Sequence, residues 1–205
     1  MLFYLYLTRQ VFALDLLYSV AWRHYRYLRK RRLRPKIFKE FEKITVMTTY
    51  VAFLRGIMPT NPNMRNEKLR MAFEAMGFSN VQTLISSGNV LFESGSNNVS
   101  ALEALIEKEL ALRLGIQSPA FVRSKKELEG HIRKDPFKGK EHSKDSYLIV
   151  TFTRKKPREI FNVINIAKTS GADFMRDIEK KFGKEVTTRT WKTVERVVKK
   201  MDTSH

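Results

Sequence analysis

Cysteine is missing from all 205 residues. Its absence excludes disulfides, thiolate catalysis and cysteine-ligated zinc together, and it fits a reducing cytoplasm without requiring one. Glycine is sparse, at nine residues, and none of it is spaced as a phosphate-cradling Walker loop or a dinucleotide fingerprint. No nucleophile elbow occurs, and a Ser–His–Asp triad cannot be assembled from spacing. Acids are outnumbered: 21 Asp and Glu face 39 Lys and Arg, for a net charge of +18. Such a surplus favours anionic partners such as nucleic acid, phosphates or a membrane face, or it is simply a well-solvated cationic surface.

Long apolar runs are lacking too. A membrane span needs about 20 nearly uninterrupted apolar residues, and the best stretch, "MLFYLYLTRQVFALDLLYSVAW", is broken by Arg9, Gln10 and Asp15. Its longest clean piece has the length of a signal h-region, but no small-residue cleavage site follows. The basic "RHYRYLRKRRLRPK" comes next, and residues 1–46 hold eleven Lys or Arg against three Asp or Glu. An apolar helix with a basic tail suits an anionic membrane surface. The favoured expectation is that residues 1–46 are an appendage outside the fold, read from an early start codon, because Met47 directly precedes the first well-patterned strand.

From Met47 the pattern is regular. "TYVAFLRGI" (49–57) reads as a strand ending at Arg55-Gly56, and "MPTNPNM" (58–64) as a loop. "RNEKLRMAFEAMGF" (65–78) sets Leu69, Phe73 and Met76 on one helical face, with Asn66 as N-cap and Gly77 as stop. "VQTLIS" (81–86) and "NVLFES" (89–94) are strands joined by Ser-Ser-Gly-Asn. A second helix covers 96–115 through Val99, Leu102, Ile106, Leu110 and Leu114, capped by Asn97 or Asn98 and stopped by Gly115; "SPAFVRS" (118–124) is a strand. Strand, helix, strand, strand, helix, strand is the split βαβ of a ferredoxin-like α+β sheet.

Residues 125–205 read as a second, shortened α/β subdomain. It has a helix over 124–137, a buried strand "SYLIVTFTRK", a β-branched segment "REIFNVINIAK", a helix over 171–183 aligning Phe174, Ile178 and Phe182, the polar link "KEVTTRT", and a final helix over 191–201.

Metal chemistry has little to work with. His131 and Asp135 stand four apart on one helical face, with Glu141 and His142 beyond, and a solvated helix end accounts for them better than a ligand set. No metal or cofactor is expected. The loop "RGIMPTNPNMRN" is richer: Arg55, Asn61, Asn63, Arg65 and Asn66 lead into a helix N-terminus, where amides and the helix dipole favour an anion. In a right-handed split βαβ the first two strands are parallel and the third pairs antiparallel beside the first. The end of the first strand (Arg55-Gly56) and the turn Ser86–Asn89 then share one end of the sheet. At the start of the last helix, "TTRTW" (187–191) offers Thr188, Arg189 and Trp191, with Thr190 as cap.

These stretches carry a resemblance. "YVAFLRGI", "GFSNVQTLISSGNVLFES" and "TTRTWKTV", spread over 49–201, resemble the uncharacterised family filed as domain of unknown function 1697 (DUF1697). Its hallmarks are an LRGI strand end, an SGNV hairpin and a Thr-Thr-Arg-Asn/Thr-Trp segment. The resemblance implies a two-part, ferredoxin-like protein and no particular activity. Two departures stand out. Where many members have a Gly-Gly loop after LRGI, this chain has Pro59-Thr60-Asn61-Pro62. Where members carry a helix and a strand before the segment resembling "REIFNVINIAK", only "TRKKP" is present, so Arg158–Lys168 reads as a strand. A shortened sheet leaves an edge to expose or to pair with another chain.

The leading expectation is a non-metal binding protein for an anionic ligand (nucleotide, phosphorylated metabolite or nucleic-acid backbone). Its site is drawn from Arg55, Gly56, Asn61, Arg65, Ser87, Gly88, Asn89, Thr188, Arg189 and Trp191. One alternative is a single-stranded nucleic-acid binder stacking bases on Phe53 and Phe92 of the open sheet face. Another is an enzyme acting on a phosphorylated or nucleotide substrate, for which no nucleophile or base is identifiable.

Overall fold

The computed structural model describes residues 47–86 and 88–203, so the expectations for residues 1–46 and for Ser87 fall outside it. These residues belong to one compact unit that begins at Met47. The chain runs β1 (Thr48–Leu54), a 3-10 turn (Pro62–Met64), α1 (Asn66–Ala75), β2 (Ser79–Thr83), β3 (Asn89–Ser94), α2 (Val99–Leu114) and β4 (Ala120–Ser124). It continues with α3 (Lys125–Lys134), β5 (Tyr147–Thr153), β6 (Glu159–Ile164), α4 (Gly171–Phe182), β7 (Val186–Thr190) and α5 (Trp191–Asp202). No helix among the described residues is long and apolar enough to cross a membrane.

Strands β2-β3-β1-β4 form one sheet with every neighbour antiparallel, the ferredoxin-like order. Alternation along β1 decides which core each residue joins. Tyr50, Ala52 and Leu54 meet α1 and α2, with Leu69, Phe73, Ile106 and Leu110, whereas Val51 and Phe53 face the other way. That other face is covered as well. β6-β5-β7 form a second antiparallel sheet, and Leu148, Val150 and Phe152 of β5 pack against Val51, Phe53, Leu91 and Phe121, together with Leu128 of α3 and Trp191, Val194 and Val197 of α5. This shared core is why the two sheets make one unit. On the far side of the second sheet, Phe174 and Ile178 of α4 meet Ile149 and Val186.

Burial of both faces corrects the sheet-face alternative. Phe53 and Phe92 lie on opposite faces, and neither is exposed. Phe53 stacks on Phe152 with ring centroids 4.3 Å apart, and Phe92 sits 4.4 Å from Phe78, so no ring is left for a base.

The caps follow the sequence with one exception. The Asn98 side chain accepts from the Ala101 N–H at 3.1 Å, and Gly115 ends α2 in the left-handed conformation. Ser124 and Glu127 close a capping box on α3, and Thr190 caps α5. Asn66, expected as a cap, is the first helical residue of α1 instead; Arg65 takes the cap position without a side-chain bond. Asn61 caps the preceding 3-10 turn instead, its side chain accepting from the Asn63 N–H at 3.0 Å.

The "KEVTTRT" link is corrected outright. Val186–Thr190 is a strand pairing with β5 from Ile149↔Thr190 to Thr153↔Val186. β-branched Val and Thr suit a pleated edge whatever their polarity. "TRKKP" makes the tight return between β5 and β6, with Glu159–Ile164 the strand expected within Arg158–Lys168. β6 is an edge strand, and Val163 on it is exposed.

Candidate functional site

β1 ends where the β2–β3 hairpin turns: the Leu54 N–H donates to the Gly88 carbonyl at 2.7 Å, and Leu84 N–H to the Asn89 carbonyl at 2.9 Å. The two motif ends are therefore neighbours, as the topology requires. Gly88 has φ +73°, and a Cβ there would lie 2.5 Å from Ile57 Cγ1 and 3.0 Å from Leu54 Cβ, so glycine is demanded by both backbone and space.

Arg189 enters this corner from β7 of the other sheet. Its Nε donates to Asn89 Oδ1 (2.6 Å) and its Nη2 to the Leu54 carbonyl (2.7 Å). Its Nη1 donates to Thr187 Oγ1 (2.8 Å) and the Thr188 carbonyl (2.7 Å). The guanidinium lies over Phe53, 5.5 Å from the ring centroid. Burial draws its pKa down from 12.5 to about 10, still cationic at neutral pH. Asn89, itself buried, completes the chain by donating Nδ2 to the Leu84 carbonyl at 2.9 Å. The three sequence motifs thus meet around one buried cation whose hydrogen bonds join the sheets.

Arg55 is committed to the same junction. Its Nη1 donates to the carbonyls of Lys184 and Val186, the latter at 2.9 Å, and its Nη2 pairs with Glu179 at 2.5 Å. Thr188 contacts Met175 Sδ at 3.2 Å, and Trp191 is buried in the shared core. Gly56 has φ +70° with open space about it. Asn61 and Arg65 sit on the loop ahead of α1, half-buried and exposed respectively, and Asn63 ties that loop to the α2 end through the Leu114 carbonyl at 3.1 Å.

Two features escaped the sequence reading. The first is Arg123, fully buried. It shares a face of β4 with Phe121, and its donors reach Glu159, the Thr153 carbonyl (2.9 Å) and the Arg158 carbonyl (3.0 Å) beside the Phe152 ring. Burial lowers its pKa, against the pull of Glu159. The signal was the alternation in Ala120-Phe121-Val122-Arg123, which puts the arginine on the face of a buried phenylalanine. His131 and Asp135 do not act as a pair. His131 Nε2 approaches Glu159 at 3.3 Å, while Asp135 accepts from the Gly139 N–H at 2.6 Å. Among the described residues no group of three His, Cys, Asp or Glu is placed to hold a metal.

The second is a cleft of about 410 Å³ between the loop that follows α3 and the first turns of α5. Phe137, Leu148 and Trp191 make its floor; Asp135, Glu141, Glu195, Lys140 and Lys192 ring it. His142 stands at one side with Nδ1 accepting the Leu148 N–H at 3.3 Å, and burial with nearby Lys192 lowers its pKa against Glu195. Next to the cleft, α3 and α5 lie side by side, joined by Lys125 to Asp202 at 2.8 Å. Their outward surfaces expose Lys126, Arg133 and Lys134 on α3 and Lys192, Arg196 and Lys199 on α5. The loop adds Lys138, Lys140 and Lys144. Acids are fewer there, with Glu195 and Asp202 exposed on α5, Asp135, Glu141 and Asp145 exposed on the loop, and Glu127 and Glu129 half-buried on α3.

A ferredoxin-like sheet with helices on one face and a second antiparallel sheet on the other defines an α+β protein built around a sheet–sheet junction. The chain belongs to the family described as protein of unknown function (DUF1697), whose model matches residues 47–177. The match closes within α4, so the Thr187–Trp191 motif lies beyond it, and the span is shorter than the 49–201 suggested by the motifs. A solved structure of the same fold is the conserved bacterial protein SP0830 from Streptococcus pneumoniae. It is 17% identical with a TM-score of 0.63, and the alignment covers 77% of this chain and 99% of that one. No curated protein matches the chain.

Proposed function

We propose that the protein binds single-stranded nucleic acid, with the phosphate backbone lying across the exposed face of α3 and α5. The observation that carries this reading is the concentration of exposed lysines and arginines on those two helices and the loop between α3 and β5. The LRGI/SSGN end has its strongest donors, Arg55, Asn89 and Arg189, engaged within the protein, so charge for an anionic partner is more available on the helices. Phosphates are bound by such surfaces through released counterions. A membrane face is the poorer fit. Interfacial helices bury large apolar side chains in lipid, and the exposed large hydrophobics among the described residues, such as Met71, Leu112 and Val163, are elsewhere than on α3 and α5.

Fluorescence anisotropy with a labelled single-stranded 12-mer tests the reading. The triple variant Lys126→Glu/Arg196→Glu/Lys199→Glu, in the full chain, is expected to bind ~10-fold or more weakly. Unchanged affinity would overturn it. So would phosphatidylserine vesicles that bind the wild type, and not the triple variant, while the oligonucleotide binds neither.

A further inference from the structure

We infer that the cleft at the head of this face takes one unpaired, amine-bearing nucleobase, cytosine, adenine or guanine, in preference to uracil. The inference rests on the proposed backbone surface and adds base selectivity to it.

The argument starts from the cleft's contents. Phe137 and Trp191 meet edge-on at 5.3 Å, and with Leu148 they give an apolar floor of low exposure. A cleft of about 410 Å³ falls in the range that encloses small ligands. Its walls are held in place. Asp135, Lys138 and Gly139 all have positive φ, and Asp135 Oδ2 accepts the Gly139 N–H at 2.6 Å, which fixes the loop.

Among the described residues the side chains of Glu141, Glu195, Lys140 and Lys192 make no hydrogen bond or ion pair, although Lys192 and Glu195 act on His142 through charge. A bare phosphate has little reason to choose a site with this many carboxylates. A base edge does. Carboxylates accept from the exocyclic N4 amine of cytosine when bases are read in duplexes, and the N6 amine of adenine is a donor of the same kind. Uracil presents O4 where cytosine presents N4, so it offers these carboxylates only its N3–H. Lys192 belongs both to the rim and to the exposed residues of α5, with Arg196 one turn further on, so a base in the cleft and a phosphate on α5 can belong to one nucleotide. Bases of single strands can be splayed out in this way, and those of a duplex cannot.

The test uses the full chain carrying Trp22→Phe, which leaves Trp191 as the reporter of the two tryptophans. Oligo(C), oligo(A) and oligo(U) 8-mers are titrated at one salt concentration. The expected result is quenching of Trp191 by oligo(C) and oligo(A) and affinities ~5-fold or more above oligo(U), the low end of what one base contact discriminates. Glu141→Gln/Glu195→Gln should erase that preference without weakening oligo(U), because an amide both donates and accepts. Equal affinities with unmoved Trp191 emission would overturn the cleft assignment. The backbone reading would still stand if Lys126→Glu/Arg196→Glu/Lys199→Glu weakened all three. Conversely, CMP quenching of Trp191 more than UMP, with no oligomer bound at all, would uphold the cleft and remove the backbone surface.

Discussion

Replacing Arg189 by Lys keeps the charge but removes the planar fork that reaches Asn89, Leu54 and Thr187 together. Buried oxygens left unpaired cost about 1–3 kcal/mol each before relaxation, so Arg189→Lys should destabilise by about 2 kcal/mol or more in urea unfolding. An unchanged midpoint would show that the junction does not depend on the fork. Gly88→Ala makes a sharper comparison with Gly115→Ala. Both have positive φ, but only Gly88 has atoms within 4 Å of the added Cβ. The backbone term is about 1 kcal/mol at either site, and the overlap with Ile57 and Leu54 should add about 1–3 kcal/mol at Gly88 alone. The meeting of Arg55 and Asn89 at one corner was legible, because topology puts both at the same sheet end. Their roles were not. Whether a guanidinium points to solvent or into a junction depended on β7, which the polar composition of "KEVTTRT" concealed.

Helices were legible from apolar spacing and caps, since a three-to-four-residue period survives any tertiary setting. The edge strands β2, β4 and β6 were legible as well, but β7 was not, because its polar composition hid a strand whose stability comes from pairing with β5. β4 shows how such an edge is managed: the N–H of Ala120 donates to Glu107 at 2.7 Å and that of Val122 to Glu103 at 2.9 Å, so α2 covers the open side. Glu103→Ala/Glu107→Ala should therefore raise the aggregation rate, measured by light scattering at the unfolding midpoint, above that of either single variant. Equal rates would mean the edge was never the route. The loop before β5 supplies a pH test. His142 has a pKa lowered from 6.5 by burial and Lys192, and its Nδ1 must stay unprotonated to accept from Leu148. Below pH 6.5 the unfolded chain takes up the proton more readily than the folded one, so stability is lost as pH falls. His142→Asn keeps a δ-position acceptor without the titration. Its thermal midpoint should fall less than the wild type's between pH 7.5 and 5.5, and parallel curves would exclude His142 as the sensor.

At the scale of the molecule, charge was legible from composition and its arrangement was not. A surplus of +18 says that anions are attracted. The proposed place comes from the packing of α3 beside α5, which brings exposed lysines and arginines of two helices remote in sequence onto neighbouring elements. The most direct measurement of that claim is the salt dependence of oligonucleotide affinity. For single strands log K falls with log salt at about 0.7 per phosphate neutralised. Lys126→Glu/Arg196→Glu/Lys199→Glu should therefore flatten the slope by about 2 relative to wild type. Identical slopes in the two proteins would contradict the α3–α5 face as the place where the backbone lies.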